Sequence, residues 1–533
     1  MEIDVDKILA EIKRAVSIAQ NEREVQARVS SIIENEIAKK LGNVPVGRYE
    51  YTFISGSRKR ADYLYGHVII EYKAPGKLSR DSEIVKAKEQ IIDYIKREAE
   101  VEERYGMFLG IIFSDKIAFV RYNSREKIWI LRGPYDINRE TVIKLIEAIR
   151  GLSRKKLSVD ELLRDFGPKS EITKKSIQTF YKKIKNSKSK KTKMLFRDWE
   201  RLFSQVCSYG PDKLKGLERE YGLEGVDNVA LLFSIHTYYA LLMKFLAAEI
   251  AYLFGTGRWL KSYISEVEDA YMKDISSLKR TLEELESGGV FRNILGIVNF
   301  VEGDYFSWYL EEIDTELADV IAGIAKRLSE YEPATPILEP EYAKDLLKRL
   351  YQHLVPRRVR HDLGEFYTPD WLAELLLDEV GFTVEEFEKL SKQKDDSIAP
   401  LRLRLLDPAC GSGTFLTLAI MRLKEYAEKH HLKDLLGNYI LQNIVGYDLN
   451  LLAVLAARTN YLLSIADLLS YMRGIEIPIY LADSIAVSRK HTLVGLEICL
   501  KTSEGEFSIP HEIINKNMLS SVLSDIEVCM KSD

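Results

Sequence analysis

The chain has 533 residues, 46% of them apolar and 30% charged, with a formal net charge of −4. That length exceeds one hydrophobic core and predicts three or four domains, and the composition excludes a disordered chain. No apolar run reads as a membrane span, the N-terminal MEIDVDKILAEIKRAV lacks a secretion signal's order, and Cys207, Cys410, Cys499 and Cys529 form no Cys-x-x-Cys pair. A cytoplasmic protein is therefore expected, without membrane contact, zinc knuckle or disulfide framework.

Residues 1–150 mix helix and strand. A helical stretch runs to about Leu41, and strand-like segments follow at Gly47–Ile54, Ala61–Tyr65 and Val68–Tyr72. A polar helix is predicted over Asp81–Arg104, then strands at Phe108–Phe113, Ile117–Tyr122 and Ile128–Leu131. Within this α/β pattern stands RADYLYGHVIIEYKAPGK, Arg60–Lys77. Asp62 is expected on one strand and Glu71 with Lys73 on the next, the latter two on one face because strand side chains alternate. Two carboxylates offer hard oxygen ligands to Mg2+, the metal lowers the pKa of its water, and a lysine steadies the charge developing at a phosphodiester. Downstream, EQIIDYIK sets Gln90 and Tyr94 four apart on one helical face. Together these segments resemble the PD-(D/E)xK nucleases, in the subgroup with a Gln-x-x-x-Tyr helix; the leading Pro-Asp is here Ala61-Asp62. The resemblance implies a restriction-endonuclease-like fold and a catalytic set of Asp62, Glu71, Lys73, Gln90 and Tyr94. It also implies metal binding by Asp62, Glu71 and an acid of the first helices, with Glu24 the candidate and Glu22 close by. An active nuclease and a folded inactive one are both open.

Residues 151–335 read as helical throughout, with a long apolar-rich helix or helix pair at Asn228–Phe254 and further helical periodicity at Leu278–Glu286. The lysine-rich KKIKNSKSKKTK, Lys182–Lys193, reads as a loop, either solvated or touching phosphates. The proline-bearing Glu330–Pro340 reads as a linker.

Residues 336–533 return to alternating strand and helix, with short apolar strands at Leu403–Leu406, Ile444–Tyr447 and Ile479–Leu481, the pattern of a parallel, doubly wound sheet. The strand before Asp407 runs into a small-residue turn and then an apolar helix, in the string LLDPACGSGTFL, Leu405–Leu416. Cofactors bind where such strands end; Gly411 and Gly413 let the backbone approach a ligand, Asp407 can take a ligand's cation, and the helix N-terminus can take a carboxylate. Asp448 ends the second strand in IVGYDLN, placed either for ribose hydroxyls or as a helix cap, and Asp483 ends the third in IYLADSI, where a helix cap is likewise open. The string DPACGSGTFL closely resembles the first motif of the adenine-specific DNA amino-methyltransferases. That resemblance implies a Rossmann-like domain holding S-adenosylmethionine through Asp407, Pro408, Ala409, Gly411, Gly413, Thr414, Phe415 and Asp448. Asp483 would meet the cofactor's adenine, and Tyr367, Thr368 and Pro369 of GEFYTPDWLAELL would close over its methionine part.

The same family carries an Asn/Asp-Pro-Pro-aromatic tetrapeptide that grips the flipped base. No Pro-Pro pair occurs in this sequence, and the chain ends near FSIPHEIINKN. The expectation is a partial methyltransferase domain whose catalytic tetrapeptide and target-recognition domain come from a missing C-terminal part or a second polypeptide. The order nuclease (1–150), helical spacer (151–335), methyltransferase (336–533) resembles the type IIG restriction–modification enzymes, implying double-stranded DNA as partner. No Gly-x-x-x-x-Gly-Lys-Ser/Thr loop stands in the sequence, so no ATP-driven motor is expected. Two rivals stay open: a non-catalytic, cofactor-binding subunit of a larger DNA-defence complex, and a methyltransferase acting on RNA or protein.

Overall fold

The computed structural model describes residues 3–39, 48–52, 60–65, 68–99, 105, 108–123, 127–150, 155–206, 211–254, 259–260, 262–301, 305–332, 346–363, 367–472, 474–484, 489–492, 495–502 and 505–510. The first region opens with helices α1 (Val5–Ile18) and α2 (Glu22–Ile32), capped by Asp4 and Asn21. Six strands follow, β1 (Arg48–Thr52), β2 (Arg60–Tyr65), β3 (Val68–Tyr72), β4 (Leu109–Phe113), β5 (Lys116–Asn123) and β6 (Ile128–Asp136), with α3 (Asp81–Ala99) between β3 and β4 and α4 (Arg139–Arg150) after β6. They form one sheet in sequence order. β3 and β4 pair in parallel, because α3 carries the chain back across the sheet, and the other neighbours are antiparallel. Every residue of β3 and of β4 is buried, as the central strands of a covered sheet require. The face under α3 holds a small separate core that includes Ile69, Ile91, Tyr94 and Ile112.

The middle region is helical apart from two-residue strand pairings. Its helices are α5 (Val159–Phe166), α6 (Glu171–Asn186), α7 (Lys190–Val206), α8 (Asn228–Phe254), α9 (Tyr263–Lys273), α10 (Ile275–Glu286), α11 (Gly289–Leu295) and α12 (Thr315–Leu328). The axle is α8, buried on all sides from Ala230 to Ala251. Its apolar stretch, like that of Leu451–Leu469, is long enough to cross a membrane, contrary to the sequence expectation. Both are core helices here, 94% and 83% buried within the protein. A helix that is apolar all round needs neighbours all round, and protein supplies them.

The lysine-rich segment 182–193 is not a loop. It ends α6 and begins α7, and four of its seven lysines face carboxylates: Lys182 Nζ lies 3.1 Å from Glu316, Lys185 Nζ 3.2 Å from Asp227, Lys191 Nζ 3.4 Å from Glu311, and Lys183 pairs with Asp314. Of the expected linker, Tyr331–Glu332 pairs in parallel with Lys155–Lys156, and residues 333–345 lie outside the described set.

The third region contains α13 (Leu346–Leu354), α14 (Arg357–Leu363), α15 (Asp370–Glu379), α16 (Val384–Lys394), β7 (Leu405–Asp407), α17 (Thr414–Lys429), α18 (Lys433–Asn443), β8 (Ile444–Asp448), α19 (Leu451–Ile465) and β9 (Ile479–Leu481). Its three strands form a parallel sheet, β7-β8-β9, joined through helices. An antiparallel meander follows, β10 (Arg489–Thr492), β11 (Gly495–Thr502) and β12 (Gly505–Pro510), where the sequence suggested only an approach to a further strand. The main core is continuous from Ile3 to Ile479, with α8 packed on both α6 and α19.

The first and third regions also meet through charge. Lys433 Nζ lies 2.8 and 2.7 Å from the two carboxylate oxygens of Glu140, and Glu140 lies 2.6 Å from Lys144. Lys424 reaches Asp467 at 2.5 Å. Burial pushes the Asp467 carboxyl up, but the charges of Lys424, Lys433 and Lys144 outweigh it and hold the group well below the usual carboxylate range.

Candidate functional site

Two clusters of chemistry-bearing side chains stand on two different sheets. On the first sheet, the β2–β3 register pairs Tyr63 with Ile70, Leu64 with Ile69 and Tyr65 with Val68. Asp62 stands in β2 one residue before this paired stretch, and Glu71 in β3 one residue after it. The side chain of Asp62 lies outside the described residues. Glu71 is 2% exposed, and Lys73 Nζ donates to its Oε1 at 2.6 Å. Lys73 also donates to Gln90 Oε1 at 3.1 Å, and Gln90 Nε2 donates to Tyr94 OH at 2.8 Å. The Glu-x-Lys strand and the Gln-x-x-x-Tyr helix thus join in one chain of hydrogen bonds.

The two candidate acids of the first helices are held differently. Glu24 sits in a capping box: its backbone N–H donates to Asn21 Oδ1, and its carboxylate accepts from Gln20 N–H at 3.1 Å and Asn21 Nδ2 at 3.0 Å. That role closes the α2 N-terminus. Glu22 faces the cluster instead, with its Oε2 3.9 Å from Lys73 Nζ. Among the described residues no group of three or more His, Cys, Asp or Glu is placed to hold a metal ion.

On the third region's sheet, three parallel strands end at one edge, with Asp407 closing β7, Asp448 closing β8 and Asp483 two residues beyond β9. The turn after β7 is locked to β8 by two backbone donors: Cys410 N–H reaches Tyr447 O at 2.8 Å, and Gly411 N–H reaches Asp448 Oδ2 at 2.8 Å. Asp407 Oδ1 accepts from Ala409 N–H at 3.2 Å, and Asp448 Oδ1 from Asn450 N–H at 2.8 Å. Gly411 and Gly413 have φ of +53° and +84°, a backbone that favours glycine. A Cβ at Gly411 would meet nothing within 4 Å, so the turn faces open space, whereas one at Gly413 would meet Ala457 at 3.4 Å. Thr414 and Phe415 open α17, and Pro408 and Ala409 are exposed on the turn. Asp483 is exposed.

Burial raises both carboxyls above the usual range. At Asp407 the negative charge of Asp448 adds to the effect while the Ala409 N–H opposes it, and at Asp448 the N–H groups of Asn450 and Gly411 oppose it. Burial likewise pushes the Cys410 thiol up. Two desolvated carboxylates beside an open, glycine-lined turn suit a ligand bearing a cationic end and hydroxyl donors. This donor set fits the nucleoside methyl donor expected from the sequence.

Tyr367, Thr368 and Pro369 precede α15, which starts at Asp370. Their anchor was missed in the sequence: Lys348 of α13, 4% exposed, donates to Thr368 O at 3.2 Å and Asp370 Oδ1 at 2.8 Å, and stands 3.5 Å from Thr414 Oγ1. Tyr351 on the same helix packs its ring against Tyr367. Two more supports escaped notice. Asn460 Nδ2 donates to Ser412 O at 2.9 Å, and Gly446 is a glycine because a Cβ there would stand 2.7 Å from Leu416 and 3.1 Å from Cys410. Only the i,i+3/i+4 pairing of Lys348 with Tyr351 hinted at such a helix, and nothing in the string linked it to residue 368.

Residues 342–491 match the N-6 DNA Methylase family. The matched segment runs from before α13 to β10 and contains both half-buried carboxylates and the glycine turn. No curated protein matches the sequence. Among solved structures, one titled "cryoEM structure DrdV-DNA complex" aligns over 90% of this chain at 16% identity with a TM-score of 0.27. The chain spans 40% of the length of that chain.

Proposed function

We propose that the chain is a restriction–modification protein that binds S-adenosylmethionine for methylation of the adenine amino group in DNA and carries a Mg2+-dependent nuclease site. The observation that carries the methyltransferase reading is the interlocked turn, in which Gly411 N–H binds Asp448 Oδ2 within the N-6 DNA Methylase match. In this reading Asp448 accepts from the ribose hydroxyls, Asp483 from the cofactor's adenine amino group, and Asp407 faces the amino-acid cation. The α17 N-terminus at Thr414 faces its carboxylate, and Tyr367–Pro369 close over the methionine part, steadied by Lys348. The cofactor, when bound, supplies an electrophilic methyl group. The chain's own residues orient it. The base-gripping tetrapeptide would come from outside these 533 residues, on a second polypeptide or further sequence.

The nuclease reading rests on Glu71, Lys73 and Gln90 joining in one hydrogen-bonded row, with Asp62 on the neighbouring strand β2. Asp62 and Glu71 would hold Mg2+, with Glu22 or Glu24 as further acid, and Lys73 would steady the attacked phosphate. Gln90 and Tyr94 fix the lysine's direction.

The test is transfer of labelled methyl from S-adenosylmethionine to mixed-sequence duplex DNA by this chain, with cofactor retention recorded in the same samples. Retention without transfer is expected, and Asp407→Ala should abolish retention. Transfer by the chain alone would show that another of its segments grips the adenine. Absence of retention would remove the methyltransferase reading.

A further inference from the structure

We infer that His236, on the central helix α8 of the middle region, is a positioning residue of the cofactor site, fixing the segment Tyr367–Pro369 through Tyr351. The inference rests on the S-adenosylmethionine reading proposed above. It extends that site to a residue outside the family-matched segment 342–491.

His236 stands in the apolar run of α8 and is 0% exposed. Burial pushes its imidazole down to about 3, so the ring is neutral at ordinary pH. Its Nε2 shares a hydrogen bond with Tyr351 OH at 3.2 Å, and its Nδ1 has no hydrogen-bond partner among the described residues. A half-satisfied buried imidazole costs stability that an apolar side chain would not. Packing therefore does not account for a histidine here, and the bond to Tyr351 is what the histidine adds.

The ring is set to make that bond. Trp199 and Phe203 of α7 meet it edge-on, their centroids 5.4 and 5.3 Å away and their planes tilted by 82° and 74°. Two tyrosines of the middle region grip α13 by its main chain: Tyr239 OH donates to Leu347 O at 2.7 Å, and Tyr221 OH to Leu354 O at 2.5 Å. Those bonds set where the helix lies. The His236 bond acts instead on the Tyr351 side chain, whose ring meets that of Tyr367 with centroids 6.3 Å apart and planes tilted by 65°.

Tyr351 lies one turn after Lys348, which donates to Thr368 O. α13 thus meets the Tyr367–Pro369 segment at a polar point and an aromatic point, and His236 governs the aromatic one. A wall that closes over a ligand binds best when it is held in place beforehand, so a slack Tyr351 lowers affinity without touching the ligand.

Calorimetric titration of the full chain with S-adenosylmethionine and with adenosine tests this. Adenosine keeps the nucleoside and lacks the methionine part. His236→Phe should weaken S-adenosylmethionine binding by about 10-fold, on the order of one hydrogen bond. It should leave adenosine binding unchanged, because Asp448 and Asp483 are untouched. His236→Gln, whose Nε2 can reach the same hydroxyl, should restore most of the affinity. Tyr351→Phe deletes only the hydroxyl and should match His236→Phe, so the link is tested even where the histidine variant does not fold. Unchanged S-adenosylmethionine affinity in His236→Phe or Tyr351→Phe overturns the inference. Equal losses for the two ligands, or no rescue by His236→Gln, would make His236 a packing residue and overturn it as well. Failure of the parent chain to bind S-adenosylmethionine sinks the cofactor reading itself.

Discussion

The two sheets present their carboxylates in opposite ways. On the first, Glu71 is buried and its Oε1 is answered by Lys73, and the row runs on through Gln90 to Tyr94. On the other, Asp407 and Asp448 are answered only by backbone N–H groups, both carboxyls are raised, and the turn between them faces open space. A carboxylate that already faces a lysine does not by that geometry alone reveal its use. A pair of strained acids beside a glycine turn has an electrostatic deficit that a ligand with donors would remove. The second arrangement therefore carries the stronger functional reading, and the family match falls on it.

The largest expected effect would break this contrast from the nuclease side. If the row works on DNA, Glu71→Gln should lower Mg2+-dependent cleavage of duplex DNA by about 10²–10³-fold, because the metal-side charge that steadies the phosphate is lost. Cleavage that persists in Glu71→Gln would leave the row a structural feature only. On the methyltransferase side, Asp448→Ala should weaken S-adenosylmethionine binding by about 10²-fold, the loss of charge-assisted hydrogen bonds worth about 3 kcal/mol. Calorimetric titration measures it, and an unaltered Kd would move the ribose away from β8.

The difference between the sites also decided how much the sequence revealed. All three parallel strands and the helix Asn228–Phe254 were legible from apolar runs and turns, since burial is written directly in composition. The glycine turn was legible because its residues are contiguous. Lys348 was not, because its partners Thr368, Asp370 and Thr414 are distant in the chain and meet only in the fold. The cap made by Glu24 was not legible either, because a capping glutamate and a metal-binding glutamate occupy the same kind of position, and only the fold shows the Asn21 contacts. Segment 182–193 was misread because its compensating acids, Asp227, Glu311, Asp314 and Glu316, lie elsewhere in the sequence. The two membrane-length helices show the same limit, since length and hydropathy do not say what surrounds a helix.

A stability measurement sharpens the comparison next. Lys73→Met leaves the buried Glu71 carboxylate without its cation, and should cost about 2 kcal/mol, less than a fully buried pair because Lys73 keeps some contact with water. The double variant Glu71→Gln/Lys73→Met should recover most of that loss in denaturant unfolding. Additive losses would mean that the row is not a coupled pair.

The smallest effect has the opposite sign and belongs to the other sheet. The folded protein holds the Asp407 carboxyl above its unfolded value, so the folded state binds a proton more readily there than the unfolded state does. Stability linked to this group is fully present below the unfolded value near 3.8, and it is lost as pH rises through the raised folded value. Asp407→Asn removes the charge and can keep an acceptor for Ala409 N–H. It should therefore melt at a higher temperature than the parent chain at pH 7, and the gain should vanish by pH 3.5. The substitution that stabilises the ligand-free fold should at the same time weaken retention of S-adenosylmethionine, because the charge that strains the turn is the one that would meet the cofactor's cation. A gain in melting temperature with undiminished retention would separate the strain from the function and assign the cation to another group.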